Sequence, residues 1–203
     1  MTIKAVAFDI GGVLERVGDV DAWLSSWRER LGMDGADFEA RLGTVDPRGL
    51  IGTGGISEAE FRQGYIDAFG FDADQADEFM AAMWDWYCGE LDAELVEFAR
   101  GLRPAYTTGI ISNSADGARR EEQARYGFEQ LVDVIVYSHE VGAAKPDARI
   151  YELACDRLGV QPSELVFLDD VEHCVEGAET LGIHAVLHRS TPESIAAIQA
   201  LLA

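Results

Sequence analysis

The sequence has few lysines and a shortage of positive charge. Only two of its 203 residues are lysines, Lys4 and Lys145, against fourteen arginines. Acidic residues outnumber basic residues by 37 to 16, which gives a formal net charge of −21. This charge opposes binding to nucleic acid or to an anionic membrane surface. A lysine in the middle of so acidic a chain is therefore a candidate for a special role.

Cysteine and long apolar runs are also scarce. The three cysteines, Cys88, Cys155 and Cys174, are widely spaced and form no metal-binding pair. They indicate reduced thiols, as in a cytoplasmic protein. No stretch of 18 or more apolar residues is present, so we expect no membrane span. Asp9 interrupts the apolar run at the start of the chain, and we therefore expect no signal peptide.

Short apolar segments alternate with helical patterns in the second half of the chain. Strands are predicted at residues 3–9, 106–111, 134–137, 165–168 and 185–187. Helices are predicted between them at residues 93–101, 115–126, 147–158 and 172–181. This alternation favours an α/β fold with a doubly wound, Rossmann-like parallel sheet that is covered on both faces.

The block between the first strand and about residue 92 has a helical pattern and no convincing strand. Ser57, followed three residues later by Glu60, is typical of a capping box that opens a helix. We therefore predict an α-helical domain inserted into the α/β core. The predicted boundaries are residues 1–14 and 93–203 for the core, and 15–92 for the insertion.

Polar side chains stand where the predicted strands end. They are Asp9 after the first strand, Ser112 and Asn113 after the second, Lys145 in a loop after the third, and Asp169 and Asp170 after the fourth. Each could simply cap a turn or a helix. In open α/β sheets, however, ligands bind beyond the carboxyl ends of the strands, where these groups would converge. Carboxylates suit a hard cation such as Mg²⁺, and a lysine with a hydroxyl suits a phosphate.

Four segments in this order resemble the haloacid dehalogenase-like hydrolase superfamily. They are "AVAFDIGGVL", "TGIISNS", "VGAAKPDARIYELACDRLGV" and "VFLDDVEHCVEGAETLGIHAV". The resemblance covers almost the whole chain, and the helical insertion is similar to the small α-helical cap of one branch of the superfamily. Each segment alone is weak, whereas the four together are specific.

The resemblance implies a Mg²⁺-dependent phosphatase that acts on a small phosphate monoester, with sugar phosphates as one candidate class. Asp9 would be the nucleophile and would form an aspartyl-phosphate. Lys145 and Ser112 would bind the transferring phosphoryl group, with Asn113 in support. The implied Mg²⁺ ligands are Asp9, the backbone carbonyl of Gly11, Asp169 and Asp170. The implied partner is a small phosphorylated metabolite, and the sequence does not indicate an oligomeric state.

Gly11 departs from the pattern of the phosphatases in this superfamily. They usually carry a second aspartate at this position, which protonates the leaving oxygen and later deprotonates water. Three interpretations follow: a phosphatase whose substrate has a good leaving group or whose proton comes from elsewhere, a dehalogenase-like enzyme, or a non-catalytic relative that binds a phosphorylated ligand or a protein. Glu15 is close in sequence, but we expect this residue at the start of the insertion to be solvated.

Overall fold

A sheet of parallel strands forms the centre of the molecule. The structure, a computed structural model, describes residues 2–203. The strands in this range are Ala5–Phe8 (β1), Glu15–Arg16 (β2), Glu90–Leu91 (β3), Thr107–Ser112 (β4), Val134–Tyr137 (β5), Leu165–Asp169 (β6) and His184–Leu187 (β7). The central sheet has the order β5-β4-β1-β6-β7, and each neighbouring pair in it is parallel.

Helices fill both the insertion and the connections of the sheet. Those before β3 are Val20–Leu31 (α1), Gly35–Val45 (α2), Glu58–Phe69 (α3) and Ala73–Cys88 (α4), with a 3₁₀ turn at Leu50–Thr53. Those after β3 are Ala93–Gly101 (α5), Ala118–Tyr126 (α6), Phe128–Leu131 (α7), Ser138–Val141 (α8), Ala148–Leu158 (α9), Glu172–Glu179 (α10) and Thr191–Leu202 (α11), with a 3₁₀ turn at Pro162–Glu164.

The central position of β1 follows from its composition. Its four residues are apolar and buried, as a parallel strand covered on both faces requires. Val6 and Phe8 pack into one hydrophobic cluster, and the two alanines of β1 pack into another cluster on the opposite face. Phe8 is in parallel register with Ile110 of β4 and with Leu168 of β6. The prediction of a doubly wound parallel α/β sheet is confirmed.

The helices α1 to α4 pack around a hydrophobic cluster of their own. Phe79 of α4 lies at its centre, with ring centroids 4.9 Å from Trp27, 4.4 Å from Tyr65 and 5.6 Å from Phe71. The capping box predicted at Ser57 is present at the start of α3. The helical segment thus has an aromatic core that is distinct from the two clusters on the sheet.

A short ladder joins the two ends of this helical segment. Glu15 of β2 pairs with Leu91 of β3, and Arg16 pairs with Glu90, in antiparallel register. The chain therefore enters and leaves the segment side by side. The expectation of no strand between the first strand and about residue 92 was wrong, because a two-residue strand is too short to show the alternation that identifies strands.

The structure shows how the few cysteines and the short apolar segments of the sequence are arranged. No helix within residues 2–203 is long and apolar enough to cross a bilayer. Cys88, Cys155 and Cys174 are buried, free thiols. Burial raises the pKa of Cys88 to about 12 and the pKa of the other two thiols to about 11. All three are therefore protonated and unreactive at neutral pH.

Candidate active site

The polar groups predicted to converge do meet at one edge of the sheet. The backbone N–H of Asp9 donates to the carbonyl of Leu168 at 2.8 Å, so that Asp9 extends β1 along β6. Ser112 is the last residue of β4, and Asp169 is the last residue of β6. Because the flanking strands run parallel to β1, their carboxyl ends carry these side chains to the same edge.

Lys145 lies at the centre of this group of side chains. Its Nζ donates to Asp9 Oδ1 at 2.7 Å and to Asp169 Oδ2 at 2.6 Å. The side chain is only 2% exposed. Burial alone would lower the pKa of Lys145, but the charges of Asp9 and Asp169 outweigh burial and raise that pKa above its usual value. Lys145 is therefore a fixed positive charge beside Asp9.

The electrostatics of Asp9 reflect the same surroundings. Burial raises the pKa of its carboxyl, the positive charge of Lys145 opposes this effect, and the charge of Asp169 adds to it. The net result is a pKa of about 6 in the absence of a metal ion. A bound cation would add to the effect of Lys145 and favour the ionised carboxylate, which is the nucleophilic form.

Asn113 holds the backbone on which Lys145 stands. Its Nδ2 donates to the carbonyl of Lys145 at 2.9 Å, and its Oδ1 accepts the backbone N–H of Lys145 at 2.7 Å. The side-chain amide is thus engaged with the lysine loop. The side chain of Asn113 therefore positions the lysine loop. That the backbone N–H groups near Asn113 help to bind a phosphate remains a prediction.

Three carboxylates form a group that could hold a cation. Oxygens of Asp9, Asp169 and Asp170 all lie within 4.8 Å of one another. Asp169 is fixed further by the backbone N–H of Val171, which donates to its Oδ1 at 2.8 Å. A set of hard oxygen donors suits Mg²⁺. The residues present therefore fit the predicted metal.

The two glycines after Asp9 differ in what they allow. Gly12 has a φ of +76°, and a Cβ built on it would overlap the carboxylate of Asp170. Gly12 is therefore required for the loop to approach Asp170, which the sequence did not reveal. Gly11 has no positive φ, and its Cβ would lie 3.6 Å from Val17 Cγ1, an ordinary contact. The missing side chain at position 11 is not imposed by steric constraints.

Two glutamates beside the site are buried, which the sequence does not predict. Glu15 is 1% exposed and Glu122 is fully buried, although Glu15 was expected to be solvated. The expectation for Glu15 was wrong because β2 turns this side chain inward and leaves Arg16 exposed. Glu122 belongs to the run "RREEQ", which reads as a charged, solvated helix face. Only tertiary packing distinguishes Glu122 from its charged neighbours.

The whole arrangement can be compared with known proteins. A family model described as haloacid dehalogenase-like hydrolase matches residues 3–182. The chain belongs to this family. It is therefore a hydrolase, and the resemblance seen in the four sequence segments is confirmed.

Three curated relatives of this haloacid dehalogenase-like hydrolase have different activities. D-ribitol-5-phosphate phosphatase of Bacteroides thetaiotaomicron is 27% identical over 192 residues, which are 89% of each chain. Phosphatase MT3486 of Mycobacterium tuberculosis is 38% identical over 90 residues, 43% of this chain and 39% of that protein. (S)-2-haloacid dehalogenase 1 of a Pseudomonas species is 33% identical over 81 residues, 40% of this chain and 36% of that protein.

The matched segments are short compared with several relatives. They cover 9%, 39% and 18% of the length of three curated proteins. Likeness to these proteins therefore does not by itself assign a substrate to this chain.

Solved structures share the fold over nearly the full length. A HAD-like hydrolase of Porphyromonas gingivalis superimposes with a TM-score of 0.76 at 25% identity, covering 100% of this chain and 98% of that one. A HAD family enzyme of Bacteroides thetaiotaomicron, in complex with magnesium and inorganic phosphate, gives a TM-score of 0.78 at 22% identity, covering 93% and 96%. These values establish a shared fold.

Proposed function

We propose that this haloacid dehalogenase-like hydrolase is a Mg²⁺-dependent phosphatase that acts on a small phosphate monoester through an aspartyl-phosphate on Asp9. The observation that carries the proposal is the contact of Lys145 with both Asp9 and Asp169. It supports the proposal because one buried cation contacts both the proposed nucleophile and one of the proposed metal ligands. The positive charge of Lys145 would let a negatively charged phosphate ester approach these carboxylates.

The roles of the residues follow from their positions. Asp9 attacks phosphorus, while Lys145 and the hydroxyl of Ser112 bind the phosphoryl oxygens, and Asn113 holds the lysine loop in place. Mg²⁺ would be held by Asp9, the carbonyl of Gly11, Asp169 and Asp170, where its charge would offset that of the substrate. The neighbour solved with magnesium and inorganic phosphate supports this choice of metal.

The glycine at position 11 restricts the substrate. General acid–base help is worth about 10²–10⁴-fold in rate, and this position supplies none. Esters with good leaving groups, such as anomeric sugar phosphates and acyl phosphates, depend least on that help. We therefore propose a small phosphorylated metabolite as the substrate.

Residues 15–92 would act as the α-helical cap of this enzyme over a core of residues 1–14 and 93–203. Two features support this division. The segment has an aromatic core of its own, and its two ends pair with each other as β2 and β3. The cap would open to admit substrate and close to exclude water from the first step. The free thiols fit a reducing compartment, and we propose the cytoplasm as the location.

A dehalogenase activity is the second candidate. The absence of an acid at position 11 favours it, because breaking a carbon–halogen bond needs no proton on the leaving group. The dehalogenase among the relatives adds weight. The paired acids Asp169 and Asp170 argue against it, because a dehalogenation that needs no metal would not require two acids as metal ligands. A non-catalytic binding role would leave the whole acid–lysine cluster unexplained.

A single panel separates these functions. Activated and unactivated phosphate esters and short 2-haloacids would be incubated with the purified protein, with Mg²⁺ or with a chelator. We expect Mg²⁺-dependent release of phosphate, with rates that fall steeply as the pKa of the leaving alcohol rises. Release of halide in the presence of chelator would favour the dehalogenase instead. Absence of any product, with the protein folded and the metal bound, would refute catalysis.

A further inference from the structure

Val17, the first residue after β2, has an apolar side chain that lies against the loop following the nucleophile. Its Cγ1 is 3.6 Å from the point where a Cβ on Gly11 would lie. Within residues 2–203, and apart from Gly11 and its two chain neighbours, no other heavy atom lies within 4 Å of that point. The space in front of Gly11 is therefore open, and Val17 is the side chain that borders it.

This open space adjoins the proposed reaction centre. Gly11 is two residues from Asp9, so the Cα atoms of the two residues are at most about 7.6 Å apart. The next residue, Gly12, has its backbone against the carboxylate of Asp170, which a Cβ at position 12 would overlap. The loop thus runs from the nucleophile to a proposed metal ligand, and a substrate held at both has Val17 within reach of its leaving group.

The backbone beside Val17 is held from two directions. The N–H of Gly18 donates to the carbonyl of Trp86 at 3.0 Å, and the indole N–H of Trp86 donates to the carbonyl of Gly18 at 2.9 Å. Gly89 packs so closely that a Cβ on it would lie 2.9 Å from the Cα of Val17. Trp86 also stacks on Trp23, with ring centroids 5.4 Å apart. Val17 is therefore presented by a rigid support, as a residue that selects a ligand must be.

The segment between the nucleophile and Val17 offers a leaving group little besides this valine. Its buried side chains are Ile10, Val13, Leu14 and Glu15. Arg16 is exposed, but its guanidinium donates to Asp92 at 3.1 Å. Val17 is 46% exposed, and a single exposed valine has no meaning by itself. Here, however, it stands where a ligand rich in hydroxyl groups would need polar partners.

We propose that Val17 is a specificity-determining residue that packs against an aromatic leaving group, so that the substrate is an aryl phosphate. Position 11 supplies no proton, and the leaving group must therefore depart as a stabilised anion. A phenol meets this need, since its pKa is about 10, as in tyrosine. Its ring also provides an apolar surface for Val17 to cover. This inference rests on the proposed phosphatase function and names its substrate class.

The bonds and charges of this reaction balance without a proton donor at position 11. A carboxylate oxygen of Asp9 forms a bond to phosphorus while the bond from phosphorus to the phenolic oxygen breaks. The phenolate leaves with the bonding electron pair and takes its proton from water. A second water then releases inorganic phosphate from Asp9.

Binding of three phosphonates tests the proposal without requiring turnover. Benzylphosphonate mimics phenyl phosphate, α-D-glucopyranosylmethylphosphonate mimics an anomeric sugar phosphate, and methylphosphonate has neither ring; each is titrated calorimetrically into the Mg²⁺-loaded protein. We expect benzylphosphonate to bind at least about tenfold more tightly than the other two, because only its ring buries apolar surface on Val17. Val17→Thr keeps the shape of the side chain and should reduce this preference about fivefold. Val20→Thr makes the same change at an exposed valine that does not border Gly11, and it should retain the preference.

Steady-state kinetics separate contact with the ring from a purely structural role of Val17. Val17→Thr should raise KM for phenyl phosphate about fivefold and leave kcat nearly unchanged, as expected when a contact is equally strong before and during reaction. The constants for acetyl phosphate, which has a good leaving group but no ring, should not change. An equal loss on both substrates would overturn the proposed contact.

The outcomes separate this inference from the function on which it rests. Equal binding of all three phosphonates would overturn the aryl site and leave the phosphatase proposal intact. Tightest binding of the sugar phosphonate would overturn it too, in favour of an anomeric sugar phosphate. If none of the three binds, the phosphate site itself fails, and both proposals fall. The comparison within the wild type stands even if a variant does not fold.

Discussion

The glycines at positions 11 and 12 are adjacent, yet they have opposite constraints. Gly12 combines a positive φ with a backbone that lies against Asp170, so no other residue fits there without displacement. Gly11 has ordinary space around it, so a side chain could be accommodated there. Two identical neighbouring residues thus differ: steric constraints require glycine at position 12 and do not require it at position 11.

Gly12→Ala should weaken metal binding. The new Cβ would push the Asp170 carboxylate away from Asp9 and Asp169, and disturbing the support of a metal ligand typically costs about 10- to 100-fold in affinity. Calorimetric titration with Mg²⁺ measures the effect. Gly11→Ala is the matched control, since its Cβ meets only an ordinary contact, and it should bind Mg²⁺ as the wild type does. Equal affinity in both variants would show that Asp170 does not hold the metal.

Gly11→Asp should restore the missing proton donor. We expect faster hydrolysis of alkyl phosphates, by up to about 100-fold, the lower end of the range for general acid–base catalysis. Activated aryl phosphates should change little, because their leaving groups need no protonation. Steady-state rates on the two ester classes provide the test. Unchanged rates on alkyl phosphates would mean that another group already supplies the proton.

Among the secondary-structure elements, those with strong local signals were predictable. The strand at Val134–Tyr137 has the predicted bounds because an apolar run identifies it. The helix at Ala93–Gly101 also has the predicted bounds, because its helical periodicity identifies it. The helix predicted from residue 115 begins at Ala118, since Gly117 just before it has a φ of +100°. The ladder between β2 and β3 could not be predicted, because its pairing is a long-range contact.

The same distinction applies to the site. Asp9, Ser112 and Asp169 were predictable since each stands at the end of an apolar strand, and strand ends meet. Glu15 and Glu122 were not, because a charged side chain is buried only when tertiary packing encloses it.

A cluster of polar contacts holds the start of α3 against the core. The backbone N–H of Glu58 donates to Asp116 Oδ2 at 2.8 Å. The side chain of Glu58 accepts from Trp84 Nε1 at 2.7 Å and from two nitrogens of Arg120 at 2.9 Å each. Glu58 therefore links the start of α3 both to α4 and to α6.

Glu58→Ala should loosen the helical segment from the core. The mutation breaks the contact with Arg120 and leaves the buried indole N–H of Trp84 without its acceptor, at a cost of about 1–3 kcal/mol. We expect faster cleavage within residues 15–92 in limited proteolysis, while fragments of the core survive. Gln63→Ala, on the exposed side of the same helix, is the control and should be cut at the wild-type rate. Equal rates for both variants would argue against this link.

At the scale of the whole molecule, the negative charge and the buried acids link stability to pH. The chain has a formal net charge of −21, and it buries acids whose pKa values are raised. Burial is the main cause that raises the pKa of Glu122 from 4.5 to about 7, although the hydrogen bond from Tyr137 opposes it. A carboxyl whose pKa rises on folding stabilises the protein fully below its unfolded pKa. This stabilisation is lost as the pH rises through the folded pKa.

The metal-free protein should therefore lose stability between about pH 4.5 and pH 7. Glu122 alone would account for a loss on the order of 3 kcal/mol in the free energy of unfolding. Urea unfolding in chelator at several pH values measures this slope. Glu122→Gln should reduce this slope without abolishing it, because glutamine does not titrate while Glu15 and Asp9 still do. Glu121→Gln should retain the full slope. Parallel curves for wild type and Glu122→Gln would contradict a raised pKa at this residue.

Trapping the phosphorylated enzyme is the most direct test of the central claim that Asp9 carries the phosphoryl group. Wild-type protein would be mixed with an activated phosphate ester and Mg²⁺, quenched in acid within milliseconds, digested and analysed by mass spectrometry. We predict a phosphorylated peptide with the modification on Asp9, absent in chelator and absent in Asp9→Asn. Release of phosphate without a phosphorylated Asp9, or with the phosphoryl group on another residue, would contradict the account.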